Sequence, residues 1–425
     1  MFQHFELAKG VQLYIRPTEQ FKTINISFKW KQPLTVESAA VRAVLSNVQQ
    51  YSNAKYPTYA SFRKRLDELF GAVLYFDTSK KGLNHIFSLN AETVNDAYLS
   101  NETVVDEVLS LLQTVLFQPN LENGKFVESV VKREKEQVIE RIQSMYDDKT
   151  RYAQQRLLEN ILPDHPASIS ANGTVETVKA VTNEQLLEMH QNLLTKEPLS
   201  IYIVGDVDVD EMKAKISEFF PFEARSADIP KETESAVSTN DNEFLHEKQD
   251  MKQGKLHISY RTPVTFYSNE FPIMQITNGI LGGFAHSKIF MNVREKESMA
   301  YYASSSFSSL YGRIFVFAGI DANLQEKAVA LIDEQLKEMQ EGNISDLEIN
   351  QTKSMLKNQL KESLDSARGQ IEIYDQYKEL DESFTVKNWT AKWEDVTKEQ
   401  IQEMASNIEK EFVYFLSGKD GADNE

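Results

Sequence analysis

His246 and Glu247 open an H-E-x-x-H pattern, in which two histidines one helical turn apart hold zinc and the glutamate activates a bound water. The pattern is not completed. Asp250 stands where the second histidine belongs, within a polar stretch that reads as a linker, so no metal chemistry is expected there. His85 and His257 fall in strand-like runs and His165 precedes Pro166 in a loop, positions that suit satisfied structural histidines better than ligands. The chain has no cysteine, which excludes disulfides, thiolate metal sites and a cysteine nucleophile. It contains neither a G-x-x-x-x-G-K phosphate loop nor a G-x-S-x-G nucleophile elbow, so nucleotide and serine hydrolysis find no support. Gly282 and Gly283 permit close backbone approach, which a bound chain or a tight turn would use equally well.

The elements that position these residues must belong to a large soluble chain. At 425 residues it exceeds what one hydrophobic core usually supports, and two domains are expected. Hydrophobic residues make up 41% and charged residues 26%, enough apolar surface to build ordinary cores. The net charge of -18 works against phosphate backbones and anionic lipid surfaces, so neither nucleic acid nor membrane is expected as a partner. No basic segment followed by an apolar one opens the chain, and the most apolar stretch, Val104 to Phe117, is too short to span a bilayer and carries Asp106 and Glu107. A cytoplasmic location is the expectation.

Alternation at Ile24, Ile26 and Phe28 predicts a strand, and Val41, Val44, Leu45 and Val48 predict an amphipathic helix with Arg42, Ser46 and Gln49 outward. A helix over Tyr59 to Phe70 ends at Gly71, and strand-like runs follow at Val73 to Phe76 and His85 to Leu89. Helical periodicity then dominates from about Val94 to Leu116 and from Gly124 to Ile161. Helices and strands mix without regular alternation, which indicates α+β. The halves end alike: Val181 to Met189 and Val396 to Met404 are identical at six of nine positions, each with a Thr-x-x-Gln capping box and a following strand. The strand Ile24 to Trp30 is echoed by Leu256 to Tyr260. A duplicated domain of about 200 residues accounts for this. The expected division is 1–221, a polar linker at 222–250, and 251–425.

The segment Leu281-Gly282-Gly283-Phe284-Ala285-His286-Ser287-Lys288-Ile289-Phe290, running on to Val293-Arg294-Glu295-Lys296 and Ala300-Tyr301, resembles the pitrilysin and insulinase family of zinc peptidases. Tyr56-Pro57, Leu66 to Ala72, Asp164-His165-Pro166, Gly173-Thr174 and Val204 to Asp208 match that family in order, so the resemblance spans essentially the whole chain. It implies two duplicated α/β-roll domains, each a mixed sheet with helices on one face, forming one half of a clamshell. It also implies that Arg294 and Tyr301 contact a peptide and stabilise its oxyanion, with Gly282 and Gly283 in the substrate-handling loop. Tyr302 leaves that register open by one residue. The bland alternative makes Arg294 part of a charged helix face with Glu295, Lys296 and Glu297, and Tyr301 the start of a strand.

Active members carry H-x-x-E-H on a helix of the first half. Counting back from Tyr56-Pro57, the motif should occupy Ala43 to Asn47, which reads Ala43-Val44-Leu45-Ser46-Asn47. Ala43 has no ligand atom, Ser46 is no general base near neutral pH, and Asn47 is a weak neutral ligand. The family's third ligand is a Glu seven residues after another Glu; counted from Glu134 the position holds Arg141, although another register puts Glu140 there. This chain is therefore expected to hold no metal. The resemblance is strongest to the non-catalytic member of bacterial paired peptidases associated with elongation factor P modification. It implies an active H-x-x-E-H partner subunit that carries the zinc, and a peptide or unfolded polypeptide as substrate. Peptide binding or scaffolding without catalytic contribution is the alternative.

Overall fold

The computed structural model describes residues 1–425 except 101–102, 232, 238–242, 382 and 420–425. The first half runs β1 (Gln3–Ala8), β2 (Val11–Pro17), β3 (Thr23–Pro33), α1 (Val36–Tyr51), α2 (Tyr59–Glu68), β4 (Val73–Lys81), β5 (Asn84–Val94), α3 (Val105–Phe117) and the short hairpin β6 (Leu121–Glu122) and β7 (Lys125–Phe126). It continues through α4 (Glu128–Asp147), α5 (Lys149–Ile161), α6 (Val175–Ala180), α7 (Asn183–Thr195), β8 (Leu199–Gly205) and α8 (Val209–Phe219). The second half runs β9 (Phe244–Gln249), β10 (Gly254–Arg261), α9 (Phe271–Asn278), β11 (Tyr302–Ser308), β12 (Arg313–Ile320) and α10 (Gln325–Gln340). Then come α11 (Asp346–Leu364), α12 (Ala367–Tyr377), α13 (Val386–Glu394), α14 (Lys398–Ser406) and β13 (Glu409–Gly418).

The sheets carry the duplication. One has the order β1-β2-β8-β3-β5-β4 and the other β11-β12-β10-β13-β9. Reversed, the second repeats the first without β1: β9 pairs in parallel with β13 as β2 does with β8, and every remaining pair is antiparallel. The capping boxes form in both copies, Thr182 accepting from the backbone N–H of Gln185 and Thr397 from that of Gln400. Mixed sheets covered by helices give the α+β class anticipated from the sequence.

Two compact units result, and neither is a contiguous half. Unit 1 comprises Met1–Ser144, Ile169–Pro230 and Ser363–Glu382; unit 2 comprises Met145–Ser168, Lys231–Glu362 and Ser383–Glu425. Unit 1 thus takes α12 from the second half, and unit 2 takes α5 from the first. In unit 2, Ala153, Leu157 and Ile161 stand one turn apart on α5 and bury against Phe412, Tyr414 and Leu416 of β13. In unit 1, α12 meets the face of β3 and β8 opposite the apolar core of Phe28, Ile201 and Ile203, and its seat is charged. Asp375, 1% exposed, lies 3.4 Å from Lys29 and from Lys31, and the Tyr202 hydroxyl donates to it. Burial would push the Asp375 carboxyl up, but the ammonium groups of Lys31, Lys29, Lys378 and Lys81 hold it well below the ordinary range.

Several local expectations are corrected. Arg42, Ser46 and Gln49 do not face outward. All are buried, because α1 is covered by β4 on one side and by α6 and α7 on the other. Arg42 pairs with Glu197 at 2.6 Å and donates to the carbonyls of Trp30 and His85. Helix α3 begins only at Val105, since β5 continues to Val94 and Asn95 caps a single 3-10 turn. The run from Gly124 to Ile161 breaks where Asp148 accepts from the backbone N–H of Thr150 and Arg151, which starts α5 as a separate helix. Within the polar stretch 222–250, Phe244–Gln249 forms β9, because the open edge of β13 offers backbone partners and the His246 ring lies 5.0 Å from that of Phe415.

Candidate functional site

Helices α1 and α4 bring Asn47, Glu134 and Arg141 together. Seven residues are two helical turns, so Glu134 and Arg141 share a face of α4. Arg141 Nη2 donates to Asn47 Oδ1 at 3.2 Å, and a side-chain hydrogen bond joins Asn47 to Glu134. Burial pushes the Glu134 carboxyl up, and Arg133, Asn47 and Arg141 offset part of that. One turn before Asn47 on α1, Ala43 is fully buried, and the Ser46 hydroxyl is spent on the Ala43 carbonyl at 2.8 Å. Glu140 is held elsewhere, accepting from Gln137 at 3.2 Å.

Zinc does not fit these residues. Asn47 and Glu134 supply one amide and one carboxylate, and Arg141 sets a cation where a third ligand would be needed. Among the described residues no group of three or more His, Asp or Glu could hold a metal ion. What the helices enclose is an open pocket of about 230 Å³, with Asn47, Gln50 and Tyr51 from α1, Tyr59 and Arg63 from α2, and Arg133, Glu134, Gln137 and Arg141 from α4.

The second group of residues lies in unit 2. The chain winds as wide π-type turns over Gly279–Gly283 and Ile289–Lys296, a geometry enriched at functional sites. A Cβ on Gly282 would stand 2.6 Å from the Ser305 hydroxyl, so packing against β11 alone requires glycine there. Gly283 is less constrained, 3.2 Å from Asn278. Arg294 stacks its guanidinium 4.6 Å over the Phe290 ring and lies 3.6 Å from Glu295. Tyr301 is 64% exposed, and its hydroxyl donates to Asp321 at 3.4 Å. Tyr302 turns the other way, where its ring covers Gly319. Strand alternation thus leaves Tyr301, rather than Tyr302, available to a ligand.

The weaker candidates have structural duties. His246 shares a hydrogen bond with Ser417 at 2.8 Å, and Glu247 accepts from Arg156, Tyr152 and Tyr414. His165 Nδ1 accepts from the Ala167 backbone. His257 departs from the expected satisfied histidine: neither ring nitrogen has a hydrogen-bond partner, and burial with Lys255 nearby pushes its pKa down to about 3. Arg63 and Arg133 belong to no motif in the sequence. The available signal for Arg63 was Tyr59 four residues before it, a spacing that stacks a guanidinium on a ring in a helix.

This duplicated α+β scaffold is that of a metalloprotease homologue. The model of the peptidase M16 inactive domain matches residues 180–356. The chain is 37% identical over 414 residues, 97% of each sequence, to the probable inactive metalloprotease YmfF of Bacillus subtilis, and it belongs to the peptidase M16, or pitrilysin-like, family. Its fold superposes on the crystal structure of a protein from Enterococcus faecalis with a TM-score of 0.92 at 33% identity, covering 99% and 100% of the two chains. A peptidase M16 inactive domain from Pseudomonas fluorescens has the same fold, with a TM-score of 0.79 at 16% identity over the full length of both. No helix among the described residues is long and apolar enough to cross a membrane.

Proposed function

We propose that this chain is a catalytically inactive subunit that pairs with an active H-x-x-E-H metallopeptidase subunit, which carries the zinc. It supplies Arg294 and Tyr301 for peptide binding and transition-state stabilisation. The observation that carries this reading is a contrast. The ligand positions have become Ala43, Ser46, Asn47 and Arg141, whereas Arg294 and Tyr301 keep the family spacing, and Tyr301 stays 64% exposed. A guanidinium and a phenol aimed at a developing oxyanion lower the barrier electrostatically, and neither needs a metal on its own chain. The name of the Bacillus subtilis relative as a probable inactive metalloprotease supports the silent half of the reading.

The test is peptide hydrolysis by an H-x-x-E-H subunit from the same genome, titrated with this chain. Hydrolysis that climbs and levels off at equimolar chain supports the proposal; hydrolysis indifferent to the chain contradicts it. Peptide binding without a catalytic contribution is the second reading, favoured by the open pocket between α1 and α4 with its guanidinium and amide donors.

A further inference from the structure

We infer that the pocket where a zinc centre would lie has become a carboxylate-binding site, taking the C-terminal or side-chain carboxylate of a peptide on Arg63, Arg133 and Arg141. In a chain of net charge -18, this pocket gathers three guanidinium groups against the single carboxylate of Glu134. Two of the three are pre-oriented. The Arg133 guanidinium lies 4.9 Å over the Tyr51 ring and that of Arg63 lies 5.0 Å over the Tyr59 ring, and the two rings are themselves 5.7 Å apart. Stacking fixes the plane of a guanidinium while leaving its N–H edges free to donate, so little side-chain entropy remains to be lost on binding.

The cations are also under-used. Arg63 Nε is buried with no hydrogen-bond partner, Arg133 reaches Glu134 only at 3.7 Å, and Arg141 donates to a neutral amide. A desolvated donor without an acceptor is costly, and an anion that comes within its reach lowers that cost. The fork of a guanidinium matches a carboxylate bidentately. Glu134, 8% exposed in the same pocket, offsets one of the three guanidinium charges, so an anion of single charge finds a net attraction there. Gln50 and Gln137 add side chains that both donate and accept, as a peptide main chain requires.

This inference rests on the peptide-binding reading only for the carboxylate's being a peptide's. It is tested on the full chain alone, so its failure leaves complementation of a partner standing. Fluorescence anisotropy at low ionic strength would compare a labelled pentapeptide acid, its C-terminal amide, and the amide ending in aspartate. The acid should bind about tenfold more tightly than the plain amide. If the aspartate amide recovers that affinity, the source is a side chain; if it does not, the source is the terminus; both support a carboxylate site. Arg63→Gln and Arg133→Gln should abolish the preference, as should Arg141→Gln, which is exposed and the variant least able to disturb folding. Equal binding of acid and plain amide overturns the inference, as does a preference that survives Arg141→Gln in a folded variant. Inorganic phosphate displacing the acid more effectively than acetate does overturns the assignment to a carboxylate.

Discussion

Arg141 donates to the side-chain oxygen of Asn47 across 3.2 Å, so two side chains that the family resemblance aligns with zinc ligands are bonded to each other. Changing Arg141 alone therefore cannot restore a metal site. In equilibrium dialysis, wild type and Arg141→Glu should both stay far below one zinc per chain, because two carboxylates and an amide without imidazole are a poor zinc set. The substitution should change stability by no more than about 1 kcal/mol, since Arg141 is exposed. Stoichiometric zinc in wild type would contradict the account.

Asp375→Asn should be severe. It removes the anion that Lys29, Lys31 and Lys378 share in the seat of α12, leaving Lys29 to Glu372 and Lys31 to Glu379, and it takes from the buried Tyr202 hydroxyl a charged acceptor. The expected loss is about 3–5 kcal/mol in urea unfolding. A loss below about 1 kcal/mol would mean that solvent reaches these charges.

Arg42→Ala tests the burial of α1 on both sides. It strips Glu197 of its partner and the carbonyls of Trp30 and His85 of a donor. A loss of about 3–5 kcal/mol is expected. A near-neutral effect would restore the picture of an outward-facing arginine.

His257 makes stability depend on pH. Its folded pKa, about 3, lies below the ordinary 6.5, so below that value the unfolded chain takes up a proton that the folded chain refuses. Stability is lost as pH falls from about 6.5 towards 3. His257→Phe should flatten the dependence of unfolding free energy on pH in this window by up to about 1.4 kcal/mol per pH unit. An unchanged slope would show that His257 is already charged in the fold.

What could be read from the sequence was local. The capping boxes at Thr182 and Thr397 are contained in four residues each, so the duplicated helix starts, and with them the repeat, were visible. What escaped was set by distant partners. Arg42 looks like an outward polar residue until Glu197, 155 positions away, comes to meet it. The charged seat of α12 joins Lys29 to Asp375 across 346 positions, a pairing no periodicity announces. The break at Asp148 was hidden because apolar spacing continues through it, although the residue is a good N-cap. At the candidate site, Asn47 and Arg141 came from the family resemblance, counted from Tyr56-Pro57 and from Glu134. The stacked arginines around them depend on how α1, α2 and α4 meet.

The most direct measurement is peptide hydrolysis by the H-x-x-E-H subunit, titrated with wild-type chain and with Arg294→Ala/Tyr301→Phe. The account predicts that wild type activates and that the double variant, though it still associates with the subunit, leaves kcat near the value of that subunit alone. Equal activation by both forms would contradict a catalytic contribution and leave scaffolding. Hydrolysis by this chain unaided would contradict the claim that its own site is silent.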